Sequence, residues 1–335
     1  MPITVVGSIA YDAVKTPFGE RERMLGGAAV HFALAASFFE EVLVVGPVGD
    51  DFGEPQLDVM RRRGVNVSDI ERVSGGKTFF WRGEYGWDLN SRETLDTQLG
   101  VFDGFQPKLS DRSRASDVLF LANIVPDLQI EVREQLPDAR FVALDSMNLW
   151  IDIAKDQLVR AIESVDCLIL NDAELRQLTG KPNLVSAARE ILSWGGPAAN
   201  DSSEADEASP EQTSTPRRGP SVIVAKQGEY GAALITNESF FALPAYPLES
   251  VIDPTGAGDT FAGGFVGYIA AHPEGELSDA LLRRAMAHGT ALASFNVEEF
   301  GTERIERLTG EEIATRVEEL RELTQFSGIP LKLRG

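Results

Sequence analysis

In Val251-Ile252-Asp253-Pro254-Thr255-Gly256-Ala257-Gly258-Asp259-Thr260-Phe261-Ala262-Gly263-Gly264-Phe265, two apolar residues give way to a proline turn, then to small residues, then to an amphipathic helix whose spacing carries it to about Ala271. The helix begins at the glycines. Small residues there let the backbone N–H groups of Gly256, Ala257 and Gly258 point together at one spot, where the helix dipole adds positive potential, so the turn reads as an anion hole. Asp259 stands beside it. A carboxylate next to an anion site repels the anion unless it has a task such as taking a proton, and on the residues alone a general base and an N-terminal helix cap are equal readings.

Outward from this turn, short β-branched runs recur at Ile3 to Val6, Val42 to Val45, Val118 to Leu121, Phe141 to Leu144, Cys167 to Leu170 and Val222 to Ala225. Between most of them lie segments with helical spacing: Ala28 to Phe38, Phe52 to Arg63, Asp152 to Val165 and Val185 to Leu192. The alternation predicts an α/β fold, a doubly wound, mostly parallel sheet flanked by helices, in one domain over 1–335. Ligands in such folds sit at the carboxyl ends of the strands. Two segments interrupt the pattern. Lys77 to Trp87 is aromatic and β-prone and pairs in expectation with Asp12 to Phe18, giving a small β-sheet lid formed by about 11–25 and 74–102. An ordinary edge hairpin is the equal alternative. The stretch 195–219 is rich in Ser, Glu, Asp, Pro and Ala and reads as an acidic surface insertion.

The chain of 335 residues carries 52 acidic against 31 basic residues, a formal charge of −21 that argues against nucleic acid as partner. With 24 arginines and only seven lysines among the cations, the acidity fits either a halophilic protein of a high-salt cytoplasm or simple solubility. Cys167, the lone cysteine, excludes an intramolecular disulfide framework and fits a reducing, cytoplasmic setting. No apolar run approaches the ~20 residues of a membrane span, and the start lacks a basic signal-peptide region, so no membrane partner is expected.

The run DPTGAGDTFAGGF at 253–265 closely resembles the C-terminal signature of the ribokinase-like (PfkB) carbohydrate and nucleoside kinases. The resemblance implies the ribokinase-like fold and phosphoryl transfer from MgATP to a hydroxymethyl group of a sugar or nucleoside. Asp259 is then the general base, and the amides of Gly256, Ala257 and Gly258 stabilise charge on the transferring group. Further motifs fall in the order this family requires. Gly26-Gly27-Ala28-Ala29-Val30-His31 resembles the di-glycine substrate motif, and Asp12 stands where an aspartate holds substrate hydroxyls. Asn171-Asp172-Ala173-Glu174 is similar to the Asn-x-x-Glu motif, which assigns Asn171 to ATP and Glu174 to Mg²⁺; a helix cap with first-turn acids is its plain alternative. Lys226-Gln227-Gly228-Glu229-Tyr230-Gly231 is similar to the nucleotide loop, making Lys226, Gly228 and Gly231 ATP-binding, with Lys226 replacing a usual threonine. His288 matches a position near adenine, or is a satisfied helix histidine. Asp253 and Thr255 lie where some members build a K⁺ site, and family habit adds a homodimer through the lid.

Two residues depart from the pattern: His31 replaces the usual asparagine and Ala28 the lysine of typical ribokinases, so the acceptor is left open between nucleosides and sugars. The aromatic set Phe79, Phe80, Trp81, Tyr85 and Trp87 can stack on a base, cover a sugar, or form a mini-core of the lid. Gly76-Lys77-Thr78 only mimics the end of a Walker A loop, because Glu71 stands where its first glycine belongs. A catalytically silent sensor would be expected to lose Asp259 or its glycines, and a nicotinamide-dependent oxidoreductase lacks its glycine fingerprint.

Overall fold

The structure, a computed structural model, describes residues 1–194, 219–273 and 277–325, so the acidic insertion read at 195–219 lies outside the described residues except for Gly219. The apolar runs become strands. In chain order they are β1 (Ile3–Val6), β2 (Ala10–Thr16), β3 (Gly19–Gly26), β4 (Val42–Val48), β5 (Ile70–Arg72), β6 (Phe79–Tyr85), β7 (Arg92–Gln98), β8 (Val118–Leu121), β9 (Phe141–Asp145), β10 (Cys167–Asn171), β11 (Val222–Lys226), β12 (Ala232–Ile235) and β13 (Phe240–Leu243).

Nine of them form one sheet in the order β13-β12-β11-β10-β9-β8-β1-β4-β5, parallel throughout except for the antiparallel pairings of β12 with β11 and β13. Because side chains alternate across a strand, each run feeds two cores. Ile3, Val5, Phe120, Ile169 and Val224 meet one set of helices, including Ala28–Ala36, Ala257–Ala270 and Asp279–Asn296. Val6, Leu121, Leu168, Leu170 and Ile223 meet the set on the other face, including Pro126–Gln135 and Asp172–Thr179. The doubly wound expectation therefore holds. From β1 the chain builds outward in both directions, through β4 on one side and β8 on the other, and this switch point opens the crevice in which α/β sheets bind ligands.

The remaining four strands form a second sheet, β3-β2-β6-β7. It is the small sheet expected from the aromatic run, with Asp12 opposite Trp81 in the parallel β2–β6 pair. One helix expectation is corrected: Asp152 to Val165 is not continuous, because Ala154 (φ −144°, ψ 38°) separates the helix Asn148–Ile153 from Lys155–Ile162. Among the described residues no helix is long and apolar enough to cross a membrane.

Candidate active site

Three neighbouring strands end in polar residues at the same edge: Asp145 on β9, Asn171 on β10 and Lys226 on β11. Lys226 Nζ donates to Asp145 Oδ2 at 3.0 Å, and both side chains are largely withdrawn from solvent. Burial alone would lower the ammonium's pKa, but Asp145, Glu174 and Asp259 together more than offset it and raise it. The same ammonium lies against the glycine turn, 3.1 Å from where a Cβ on Gly258 would stand. Asn171 and Glu174 form a capping box: Glu174 N–H donates to Asn171 Oδ1 and Asn171 N–H to Glu174 Oε2, each at 2.8 Å. The plain cap reading of this motif is thus present. Glu174 is nonetheless buried enough to be pushed up to about 7, with Lys226 opposing the shift and Asp145 adding to it.

At the helix Ala257–Ala270 the arrangement is the opposite. Its N-cap is Gly256, left-handed at φ +74°, and no side chain caps it. Both the backbone angle and the space demand glycine, since a methyl group at 256 would overlap the His31 ring. Asp259, in the first turn, is pushed up to about 7 by burial and by Asp145, against the pull of Lys226 and Arg92. Asp253 is fully buried, its Oδ1 accepting from Thr255 N–H at 2.9 Å and its Oδ2 from Gly301 N–H at 3.0 Å, and burial raises its pKa.

Asp12, on β2, meets the di-glycine motif directly. A methyl group on Gly26 would overlap its carboxyl, and Gly27, at φ +99°, directs its backbone N–H to that carboxylate. Burial pushes Asp12 up to about 7, and the charges of Asp253 and Asp259 add to the shift, which sets the Asp12 side of the cluster next to the glycine turn. His31, 2% exposed, lies across Gly256 with Nδ1 3.2 Å from Asn296 Oδ1.

Four residues here escaped sequence reasoning: Asp145, Arg92, Tyr85 as a polar contact, and Asn296. Tyr85 and Arg92 face each other across β6 and β7, and Thr255 Oγ1 donates to Tyr85 Oη at 3.2 Å. Arg92 lies 5.2 Å from the Trp81 ring centroid, and its charge reaches Asp12, Glu174 and Asp259. An acid closing an apolar strand was the available signal for Asp145, because strand ends carry the chemistry in such sheets. The aromatic set divides. Trp81 and Tyr85 join the cluster, Phe80 packs on the main core, Phe79 contacts Phe102 edge-on at 5.7 Å, and Trp87 is 85% exposed.

The turn Gly228–Tyr230 follows β11, and its Glu229 accepts from Asn90 Nδ2 at 2.9 Å, tying the β6–β7 hairpin to this loop. Gly231, at φ +100°, fits against the backbone of Leu243. His288 does not join the others: its ring stacks on Tyr268 at 4.1 Å and its Nδ1 donates to the Arg284 carbonyl at 2.8 Å. Tyr268 is about 18 Å along the helix from Gly256 at 1.5 Å per residue.

The pfkB family carbohydrate kinase model matches residues 3–307. A nucleoside kinase of Methanothermobacter thermautotrophicus is 36% identical, covering 93% of this chain and 94% of that protein. A cytidine kinase of Thermococcus kodakarensis is 28% identical over 85% of this chain and 95% of its own. Among solved structures, the nucleoside kinase of Methanocaldococcus jannaschii, an archaeal member of the ribokinase family, superposes with a TM-score of 0.72 at 19% identity, covering 95% of this chain and 98% of that one. The fold, the order of the motifs and these relatives agree: the chain belongs to the pfkB family of carbohydrate kinases, phosphotransferases with an alcohol as acceptor.

Proposed function

We propose that the protein transfers the γ-phosphoryl group of ATP to the hydroxymethyl group of a nucleoside, with Asp259 as general base. The observation that carries this reading is a carboxylate in the first turn of a helix whose left-handed glycine N-cap no side chain serves, with Lys226 lying against the same turn. Asp12, the Gly26-Gly27 backbone and His31 hold the acceptor. Its hydroxyl gives a proton to Asp259 while the oxygen attacks the γ-phosphorus in line, the bond to the β-phosphate oxygen breaks, and ADP leaves. Charge on the transferring group falls to the amides of Gly256 and Gly258, and to that of Ala257 when it turns from the Pro254 carbonyl to which it donates at 3.2 Å, with Lys226 beside Gly258 and Arg92 arriving from the second sheet.

Asn171, Lys226, Gly228 and Gly231 line the ATP side, with His288 toward adenine, its Nδ1 turned to the Arg284 carbonyl and its ring stacked on Tyr268. Mg²⁺ fits this edge. Glu174 is a buried carboxylate facing a second one, and among the described residues no three metal-ligating side chains converge, which suits an ion held mainly by phosphate oxygens, water and one carboxylate. Glu174 would hold it, and the ion supplies charge neutralisation across the phosphates when bound. K⁺ fits beside Asp253 and Thr255, where a fully buried carboxylate accepts hydrogen bonds from neutral groups, the N–H groups of Thr255 and Gly301 and the Thr255 side chain. The second sheet acts as the lid, joined to the main body by Tyr85–Thr255 and Asn90–Glu229. Two relatives named nucleoside and cytidine kinases favour a nucleoside over a free sugar.

The test is coupled-assay ATP turnover across nucleosides, pentoses and hexoses, with Asp259→Asn as control. Turnover on a nucleoside that collapses in the variant supports the reading. Turnover on a sugar alone replaces the acceptor, and ligand binding without turnover above the variant's background leaves a sensor.

A further inference from the structure

Asn296 closes the helix Asp279–Asn296 and is fully buried, yet it makes three side-chain hydrogen bonds to parts of the chain far away in sequence. Its Nδ2 donates to the Thr255 carbonyl at 2.8 Å, its Oδ1 accepts from Thr260 Oγ1 at 2.9 Å, and the same Oδ1 lies 3.2 Å from His31 Nδ1. The orientation of the amide is fixed by its partners. A carbonyl only accepts, so the nitrogen of the amide must face Thr255, and the oxygen must then face His31. An amide oxygen only accepts too, so His31 Nδ1 must carry the proton. Burial holds the imidazole neutral, driving its pKa down to about 4 against the help of Asn296, and a neutral ring protonated at Nδ1 has a bare lone pair at Nε2. That Nε2 is buried and has no hydrogen-bond partner among the described residues. An unmet buried acceptor in an otherwise complete network calls for a donor.

We propose that Asn296 is a positioning residue that locks His31 as the Nδ1–H tautomer, so that Nε2 accepts a hydrogen bond from an O–H or N–H group of the phosphate acceptor. The same amide holds the Thr255 carbonyl one residue before Gly256, so a single side chain registers the floor of the acceptor pocket against the glycine turn. The pocket floor is then a pure acceptor at this point, whereas an asparagine in place of His31 would offer both a donor and an acceptor. This selects acceptors that present a donor there and disfavours analogues in which that hydroxyl is deleted or methylated. The proposal rests on the kinase reading for the identity of the ligand, but the tautomer does not.

Two measurements test it. In the ¹⁵N spectrum of the imidazoles, the chain's three histidines are separable by loss of one set in His31→Gln, and the wild type without ligand should show His31 protonated at Nδ1 and bare at Nε2. Asn296→Asp keeps the size and places a carboxylate beside the ring, which raises the pKa of His31 and, once protonated, turns Nε2 into a donor; it also sets an oxygen against the Thr255 carbonyl where Nδ2 donated, a loss that is the same at every pH. Relative to wild type, whose own acid limb from Asp259 divides out, kcat/KM for the acceptor should fall by roughly tenfold toward the acid end, the worth of one buried hydrogen bond, while KM for ATP changes by less than about twofold. The double variant Asn296→Asp/His31→Gln should lose that extra ionisation. A wild-type His31 protonated at Nε2, or a variant whose activity relative to wild type shows no further fall toward acid beyond the pH-independent loss, overturns the proposal. Absence of any turnover in the wild type overturns the kinase reading instead, and the spectrum still decides the lock.

Discussion

Two helices start at the same edge of the sheet, and their first turns are built in opposite ways. At Asp172–Thr179 the acid of the first turn is spent on the backbone: Glu174 and Asn171 satisfy each other's N–H groups. At Ala257–Ala270 a left-handed glycine occupies the cap, no side chain serves it, and the acid of the first turn is left to the site. A capped terminus is a stable terminus; an uncapped one retains donors for a ligand. The difference separates a carboxylate that closes a reciprocal cap from one that meets only its own backbone N–H.

The largest expected effect is at Asp259. Asp259→Asn should lower kcat by about a thousandfold, within the range for loss of a general base, with KM for ATP nearly unchanged. In the wild type kcat/KM should fall as pH drops below about 7, where Asp259 takes up a proton. Stability should move the other way. A carboxyl whose folded pKa is raised from 3.8 binds its proton more tightly when folded, so its contribution declines as pH rises from about 4 to about 7. Thermal melts should therefore show Asp259→Asn more stable than wild type at neutral pH and no more stable in acid. A variant that melts lower throughout would mean that Asp259 is structural after all, and the contrast between the two helices would break.

Next comes the glycine itself. Gly256→Ala forces a side chain into a left-handed angle and into the His31 ring, so the amides and the acceptor floor shift together. We expect kcat/KM to fall by roughly tenfold to a hundredfold for both substrates, the cost of misplacing preorganised donors. A smaller pair of effects sharpens the other helix. Asn171→Ala should destabilise by about 1 kcal/mol in denaturant melts while leaving the Mg²⁺ dependence of turnover in place. Glu174→Gln retains a side chain that can complete the capping box, so melts should stay level in acid and rise at neutral pH, where the carboxyl pushed up to about 7 would be ionised, while the Mg²⁺ needed for half-maximal rate rises by about tenfold. If both variants alter stability alone, Glu174 is a cap and nothing more.

What the sequence disclosed and what it withheld divide along range. The strands at 118–121, 141–145, 167–171 and 222–226 were legible to within a residue because they are buried on both faces and read as unbroken apolar runs. The glycine turn and the capping box were legible because each completes its geometry within a few residues. Lys226 and Asp145 stand 81 positions apart, and Asn296 stands 265 from His31, so their meeting depends on strand order and helix packing that no local pattern encodes. Asn296 carries no signal at all in isolation: a polar residue at a helix end usually meets water. The helix break at Ala154 was missed because nothing in Asp152 to Val165 other than its tertiary surroundings interrupts the helical spacing.

The smallest effect probes the contact between the two sheets. Tyr85 reaches from β6 to the residue before the uncapped glycine, and its hydroxyl accepts from Thr255 while its ring packs with Val14 and Phe300. Tyr85→Phe removes only the oxygen. The lost bond is between uncharged groups, so kcat/KM should fall by about three- to tenfold, with melting nearly unchanged because the ring still fills its place. If the second sheet acts as a lid, the loss should appear in the acceptor's KM and in increased ATP hydrolysis without acceptor, as water enters beside the glycine turn. If the loss instead falls on kcat alone, Tyr85 serves to hold Thr255 and the turn, and the sheet is a fixed wall.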